Sequence, residues 1–275
     1  MHDPHPLHPG TGSLEKDPAA LNRIRRVWRR GEAAVLGWLQ IPAALSAEAL
    51  SRCDYDGLVI DLQHSSTDIA DAIAMITAIE GGTAEPFVRV QANDAGMIMK
   101  LLDCGARGVI VPMIETADQA RELASALHYP PRGRRSFGPR RPLLRYGSAY
   151  PEFASETFVG LAMIETALAL ENLDEILSVD GIDGVFIGPA DLALALGAEP
   201  AADSTDPRVM AAVSTILRRT HVYGKRCGIF CASTPFARDK LAQGFDMISI
   251  TPDLAMLINS ARAALATVRA SSRTS

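Results

Sequence analysis

The sequence predicts a (β/α)8 barrel, and three observations carry that prediction. From residue 35 onward, eight short runs rich in β-branched residues alternate with longer segments whose apolar residues recur at helical spacing. The strand runs are apolar along their length, which is typical of parallel strands covered on both faces. No GxGxxG motif opens the first unit, so a closed barrel is favoured over an open dinucleotide-binding sheet.

Each predicted strand is a short apolar run, and a helical pattern follows it along the chain. The strands are predicted at residues 35–39, 57–62, 86–90, 108–113, 158–164, 184–188, 226–231 and 246–250. The helices are predicted at residues 44–53, 68–81, 94–105, 116–127, 169–179, 207–224, 234–244 and 253–271. A further short helix is expected after the "GPAD" turn of strand 6.

Helix punctuation supports these boundaries. N-cap residues are predicted at Asp68, Asp94, Thr116 and Thr234, where a side-chain oxygen can accept from the first free backbone N–H groups. Gly81, Gly105, Gly224 and Gly244 each follow a predicted helix end, which is the common place for a terminating glycine.

Composition limits the classes of function. The 275 residues could form one large domain or two small ones, and with 48% hydrophobic and 21% charged residues they suit a globular protein with a sizeable core. We predict a disordered tail over residues 1–20 and a single barrel domain over residues 21–275. The net charge of −5 gives no general electrostatic reason to expect nucleic acid or an anionic membrane as a partner. No signal-peptide core or membrane-length apolar run is present in the sequence, so a cytoplasmic protein is expected.

Two carboxylates follow neighbouring strands at the end of the barrel where chemistry gathers. Glu165 comes directly after strand 5, and Asp191 follows strand 6 in "IGPADL". Such a pair suits a hard divalent cation, Mg²⁺ or Mn²⁺, with positions left open for water and a chelating substrate. In the alternative interpretation, Asp191 caps a helix and Glu165 pairs with an arginine.

Two basic residues lie at the same predicted end. His64 follows strand 2 and is placed to act as a general base, or else it is a loop histidine hydrogen-bonded for structural reasons. Arg89 lies inside an apolar strand, where a charge is costly unless it is paired. It therefore faces an anion or a developing oxyanion, or it forms a buried ion pair.

The tetrapeptide "MIET" occurs twice, ending at Thr116 and at Thr166. The first copy reads as a helix start with a capping box between Thr116 and Gln119, so its Glu115 has no predicted chemical role. Only the second copy, with Glu165, is predicted to bind metal. The arginine-rich residues 132–145 are predicted at the opposite face of the barrel, where an oligomer contact is favoured over a role with an anionic substrate.

The chain resembles the HpcH/HpaI family of metal-dependent class II pyruvate aldolases from about residue 31 onward. The stretches that carry this resemblance are "DLQH", "FVRV", "LLDCGARGVIVPMIET", "YPPRGRRSFGP", "AMIET" and "GIDGVFIGPADL". The resemblance implies a modified TIM barrel whose last helix packs on, or is swapped with, a partner subunit, giving dimers grouped into hexamers. It also implies cleavage of a 4-hydroxy-2-oxo acid into pyruvate, or a related 2-oxo acid, and an aldehyde through an enolate.

The resemblance assigns roles to residues. Glu165 and Asp191 are the implied ligands of Mg²⁺ or Mn²⁺, with Co²⁺ as a further candidate. His64 is the implied base, and Arg89 is expected to stabilise the oxyanion. The implied substrate-binding residues are Trp38, Arg89 and the backbone at Gly188, Pro189 and Ala190.

One implied catalytic residue fits the predicted topology poorly. The resemblance makes Asp103 of "LLD" a partner of the base, yet the topology puts Asp103 at the opposite end of the barrel from His64. A neighbouring subunit would then supply it, or the helix boundary differs from the one predicted.

Three features leave the substrate open. Met163 stands where the family commonly has glutamine, Gln63 where it commonly has glutamate, and strand 8 ends in "SITPD". Decarboxylation of a 2-oxo acid such as oxaloacetate is an alternative reaction, because it needs the same enolate. A barrel retained only for ligand binding or assembly is the non-enzymatic alternative.

Overall fold

Eight parallel strands pair in sequence order and close on themselves, with the last strand against the first. This computed structural model describes residues 21–271, so the predicted tail at residues 1–20 lies outside the described residues. The strands are β1 (Ala34–Leu39), β2 (Gly57–Asp61), β3 (Glu85–Arg89), β4 (Gly108–Val111), β5 (Val159–Ile164), β6 (Gly184–Ile187), β7 (Arg226–Ile229) and β8 (Met247–Ser249). The predicted (β/α)8 barrel is confirmed, whereas its extent as a single domain over residues 21–275 stays a prediction.

Helices surround the strands in the predicted order. They are α1 (Arg23–Arg29), α2 (Ala44–Ser51), α3 (Ile69–Ile79), α4 (Ala95–Asp103), α5 (Ala117–Leu127), α6 (Arg140–Tyr146), α7 (Tyr150–Phe153), α8 (Ala167–Glu171), α9 (Leu173–Leu177), α10 (Pro189–Ala195), α11 (Pro207–Val222), α12 (Thr234–Ala242) and α13 (Asp253–Ser271). The predicted helix over residues 169–179 is interrupted at Asn172, so that α8 and α9 are separate.

Three of the four predicted N-caps are confirmed. The side chains of Asp68, Asp94 and Thr116 accept from backbone N–H groups of the first turn, and Thr116 forms the predicted capping box with Gln119. The prediction for Thr234 is wrong, because Ser233 is the cap of α12 and Thr234 is already helical. Pro235 explains the shift, since proline fits the first turn, where its missing N–H has no intrahelical partner to lose.

The barrel interior is filled by large side chains from alternate strand positions. One buried cluster holds strand residues that include Leu36, Val59, Phe87, Ile110 and Phe186. A second, larger cluster lies between the strands and the surrounding helices. The interior is thus a packed core and not a pore, which leaves only the ends of the barrel for a binding site.

Helix α1 closes the amino-terminal end of the barrel and was not predicted. Its buried residues Ile24, Val27 and Trp28 join the interior cluster. The Trp28 indole N–H donates to the carbonyl of Asp246 (2.8 Å), just before β8, and the Asn22 amide donates to the carbonyl of Arg107 (2.9 Å). With that end sealed, the carboxyl ends of the strands are the open face.

The arginine-rich segment lies on the sealed face, as its predicted position requires. Arg135 is buried and donates to Asp103 at the end of α4 (2.8 Å), while Arg141 forms an ion pair with Glu80 at the end of α3. Helices of such a barrel end where the strands begin, so both contacts lie far from the strand ends that carry chemistry. Helix α6 begins within this segment and α7 follows it; both are short and contain a proline, and neither was predicted.

Helix α13 leaves the barrel after its first turns. Asp253, at its start, accepts from the backbone N–H groups of Gln40 (2.7 Å) and Ile41 (3.3 Å), which ties the helix to the end of β1. From Leu257 to Ala270 every residue is exposed. None of the helices within residues 21–271 is long and apolar enough to span a membrane.

Candidate active site

The inward-facing positions of five strands continue, at their carboxyl ends, into the residues of the candidate site. Side chains alternate along a strand, so the residue two positions after an inward-facing one faces the same way. The inward residues Leu36, Val59, Phe87, Met163 and Phe186 are followed at this spacing by Trp38, Asp61, Arg89, Glu165 and Gly188. Because the strands are parallel, these five residues meet at one end of the barrel.

Asp61 is the centre of a buried polar cluster. Its carboxylate accepts from Arg89 Nε (2.9 Å) and Nη2 (2.6 Å), from the Trp38 indole (3.2 Å), and from the backbone N–H groups of Gln63 (3.0 Å) and His64 (3.2 Å). Burial raises the pKa of Asp61, but the hydrogen bonds and charge of Arg89 outweigh burial and hold it below its ordinary value. One carboxylate therefore fixes a guanidinium, an indole and the loop that carries His64.

The predicted alternative of a buried ion pair at Arg89 is thus present in the structure. Arg89 and Asp61 are side by side in register on adjacent strands, and their side chains are 8% and 0% exposed. The guanidinium carbon also lies 4.9 Å from the centroid of the Trp38 ring. An ion pair and a role toward a ligand are compatible here, because Arg89 also forms part of the wall of a cavity.

A cavity of about 170 Å³ opens at this end of the barrel. Its walls bring together the predicted residues Trp38, His64, Arg89, Gly188, Pro189, Ala190 and Asp191. Met163, Phe230 and Ala202 add apolar surface, and Gln40 adds a polar group. A larger cavity of about 440 Å³ lies beneath α1 on the sealed face, but chemistry in such barrels belongs to the other end.

Glu165 lies beside this cavity and is 2% exposed. Its Oε1 accepts from the backbone N–H of Met113 (2.8 Å). A Cβ at Gly188 would stand 2.5 Å from Oε2, so any larger residue would displace the carboxylate. Burial raises the pKa of Glu165 to about 6; the Met113 hydrogen bond lowers it, while the charge of Asp191 raises it. The charge of Arg89 also lowers this pKa, but it does not offset the effect of burial, so the carboxylate pair stays short of positive charge.

This donor set fits a hard divalent cation. Within residues 21–271, no three or more His, Cys, Asp or Glu side chains come together in a way that could hold a metal. The chain would therefore supply the oxygens of Glu165 and Asp191, and water and substrate would fill the remaining positions. Mg²⁺ commonly keeps several waters and binds through one or two carboxylates.

The sequence and the fold are both similar to those of known proteins. The family model described as "HpcH/HpaI aldolase/citrate lyase" matches residues 35–260. The chain belongs to this family. The resemblance inferred from the sequence is confirmed, and the HpcH/HpaI protein is an aldolase, that is, a carbon–carbon lyase.

Three relatives illustrate the match. A hydroxypyruvate/pyruvate aldolase of Rhizorhabdus wittichii strain RW1 is 60% identical over 250 residues, covering 91% of this chain and 100% of the relative. The crystal structure of an HpcH/HpaI family protein from Burkholderia cenocepacia J2315 is 30% identical, with a TM-score of 0.82, and the match covers 90% of this chain and 98% of that one. Protein CitE from Mycobacterium tuberculosis, solved with magnesium and pyruvate, is 23% identical, with a TM-score of 0.52 and coverage of 80% and 86%; this likeness shows the fold alone.

Asp103 is the one predicted catalytic residue that does not lie at the cavity formed by the carboxyl ends of the strands. It ends α4 on the sealed face, its carboxylate is bound by Arg135, and its side chain is 21% exposed. The predicted helix boundary is close to the observed one, so that explanation for the poor fit is removed. A role for Asp103 requires a neighbouring subunit and stays a prediction.

Two contributors to the site were missed from the sequence. No role was predicted for Asp61, although it stands two positions after the inward-facing Val59 and beside Arg89 on the next strand. Because a buried charge is costly unless it is paired, Asp61 could have been predicted as the partner of Arg89. Met113 acts through its backbone, and no side-chain pattern could have indicated it.

Proposed function

We propose that this HpcH/HpaI protein is a divalent-metal-dependent aldolase that cleaves a 4-hydroxy-2-oxo acid into pyruvate, or a related 2-oxo acid, and an aldehyde. The observation that carries the proposal is the buried Glu165 carboxylate, which lies beside a cavity lined by Asp191, Arg89 and His64. The name of the 60% identical relative, a hydroxypyruvate/pyruvate aldolase, supports pyruvate or hydroxypyruvate as the 2-oxo acid. The carboxylate oxygens of the pair suit Mg²⁺, and Mn²⁺ or Co²⁺ are further candidates.

The residues at this end of the barrel would bind the cation, the substrate carboxylate and the oxyanion. A cation held by Glu165 and Asp191 would supply Lewis-acid stabilisation of the enolate oxygen. The first backbone N–H groups of α10, after Gly188 and Pro189, lack intrahelical partners and would hold the substrate carboxylate. Arg89, fixed by Asp61 through Nε and Nη2, would present its remaining N–H groups to the oxyanion.

His64 completes the set as the general base. It is exposed on the cavity wall, so substrate can reach its ring, and its backbone is held by Asp61. It would take the proton of the C4 hydroxyl as the C3–C4 bond breaks and the aldehyde forms. Trp38, packed edge-on against Phe230 with centroids 5.0 Å apart, gives the pocket a rigid apolar wall.

The test is a cleavage and condensation assay on metal-free protein with and without added Mn²⁺ or Mg²⁺. We expect pyruvate and an aldehyde to give an aldol adduct only when a divalent cation is present. Release of CO₂ from oxaloacetate without any adduct would favour the decarboxylase alternative. Full activity in the presence of EDTA would contradict the metal-dependent proposal.

The proposed assembly is a homo-oligomer, a hexamer built as a trimer of dimers, in which α13 contacts a partner subunit. Exposed apolar residues form one face of α13: Leu254, Leu257, Ile258, Leu265 and Val268. Apart from the adjacent Leu257 and Ile258, neighbours in this set are three, four or seven residues apart, which places them on one side of the helix, and a single chain leaves them exposed. No contact with nucleic acid or membrane is proposed, and the cytoplasmic location stays a prediction.

Polar substitutions on this face of α13 should reduce the size of the assembly. We expect the Leu257→Asp/Leu265→Asp variant to run as a smaller species in size-exclusion chromatography with light scattering, because a desolvated charge opposes the contact. Asn259→Asp, on the opposite side of α13, is the matched control and should keep the wild-type mass. A monomeric wild-type protein would rule out the proposed assembly.

A further inference from the structure

The first "MIET" contains a residue in an uncommon backbone conformation. Met113 follows Pro112 just past the end of β4, and its φ is +56°. The left-handed region is costly for any residue with a Cβ, and such residues persist only where the surroundings enforce them. Functional sites are where they cluster.

The surroundings of Met113 do enforce this conformation. On its carboxyl side, Gln119 Oε1 accepts from the backbone N–H groups of Glu115 (2.6 Å) and Thr116 (3.1 Å). The Asn172 amide, from the connection between α8 and α9, donates to the Glu115 carbonyl (2.9 Å). On its amino side, Val111 is held in register with Ala162 of β5. The turn is therefore fixed from both ends.

Burial of the Met113 side chain does not account for this strain, because that side chain is 50% exposed. What the conformation achieves is a backbone contact: the Met113 N–H donates to Glu165 Oε1 (2.8 Å). On the other side of the same carboxylate, Gly188 allows close approach to Oε2. The Glu165 carboxylate thus lies between the Met113 N–H, just after β4, and Gly188, just after β6, where no side chain blocks its approach.

We propose that Met113 is a positioning residue, whose left-handed backbone holds Oε1 of Glu165 so that Oε2 is presented to a divalent cation. This inference rests on the proposed function, since it requires Glu165 to bind metal. It gives the first "MIET" a role that its own glutamate does not have: it orients the glutamate of the second copy. The group that acts is the N–H of Met113, and its thioether is dispensable.

Substitutions that separate backbone from side chain test this inference. Met113→Val introduces β-branching, which strongly disfavours positive φ, so the N–H should withdraw from Glu165. Met113→Gly removes the side chain but adopts positive φ freely and keeps the N–H. By isothermal titration of metal-free protein with Mn²⁺, we expect Met113→Val to bind about tenfold more weakly than wild type, in line with the loss of one hydrogen bond to a charged group. Met113→Gly should stay within about twofold of wild type.

Thermal unfolding of each metal-free variant shows whether it is folded. If Met113→Val does not fold, Met113→Thr replaces it, because it is also β-branched and its hydroxyl suits a half-exposed position. A folded β-branched variant that binds Mn²⁺ like wild type would overturn the inference. So would weak binding by Met113→Gly, since the thioether would then matter. Absence of Mn²⁺ binding by wild type is a different result, which contradicts the proposed function itself.

Discussion

Replacement of Glu165 by glutamine is expected to abolish divalent-cation binding at micromolar concentrations and to lower kcat/KM by about 10³-fold. The change removes one of two carboxylates that would hold the cation, and Lewis-acid stabilisation of an enolate amounts to several kcal/mol, at about 1.4 kcal/mol per tenfold in rate. Glutamine keeps the size of the side chain and can still accept from the Met113 N–H. Mn²⁺ titration and initial rates of aldol cleavage measure the two effects.

The other "MIET" offers a matched control. Glu115 occupies the same place in the first copy, and its backbone N–H and carbonyl form hydrogen bonds with the side chains of Gln119 and Asn172. Glu115→Gln should therefore bind Mn²⁺ and turn over substrate like wild type. Equal losses in the two variants would mean that the assignment of metal binding to the second copy is wrong.

The thermal stability of Glu165→Gln provides a second test of the site. Burial raises the pKa of Glu165 to about 6, above its ordinary value of 4.5, so its ionisation opposes folding. Metal-free wild type should therefore lose stability as the pH rises from 4.5 through 6, whereas Glu165→Gln should not. At pH 7 in EDTA, the variant should unfold at the same or a higher temperature than wild type. A clearly lower unfolding temperature would contradict a site that is short of positive charge.

The barrel was predictable because its elements follow local rules. The apolar strands and the helices with a single apolar face can be recognised from the spacing of their apolar residues. The capping box of Thr116 and Gln119 marks a helix start. Helix α1 was missed because it precedes the first strand, so the alternation of strands and helices gave no reason to look for it. Helices α6 and α7 are seven and four residues long, which is too short for periodicity to be read.

The site was predictable as far as strand ends could be located. Glu165, Asp191, His64 and Arg89 were found because polar residues at the carboxyl ends of barrel strands converge. The partner of Arg89 needed the register between β2 and β3, which places Asp61 beside it. The role of Met113 needed a backbone dihedral angle, which depends on contacts from α5 and Asn172. Sequence patterns show the type and spacing of side chains, but they show neither the register between strands nor the φ angle of a residue.

Removal of Asp61 is expected to destabilise the protein and inactivate it for two separable reasons. Asp61→Leu leaves the Arg89 guanidinium buried without its counter-ion, and breaking one side of a buried ion pair costs about 3–5 kcal/mol. It also frees the Trp38 indole and the loop that carries His64. Chemical unfolding and steady-state kinetics should both show large losses. The pKa of Asp61 is depressed, so its stabilising effect is present above pH 3.8 and is lost as the pH falls below that value.

A double substitution distinguishes the structural cause from the catalytic one. Asp61→Leu/Arg89→Met replaces the pair by apolar side chains of similar volume, which in buried sites is often neutral or stabilising. We expect the double variant to regain most of the lost free energy of unfolding while staying inactive, because no guanidinium would face the oxyanion. If it regains activity together with stability, Arg89 serves the fold alone and its proposed role fails. If it stays as unstable as Asp61→Leu, the hydrogen bonds of Asp61 to Trp38, Gln63 and His64 matter more than its charge pair. The expected outcome, stable and inactive, requires that Asp61 hold Arg89 in place and that Arg89 act on substrate.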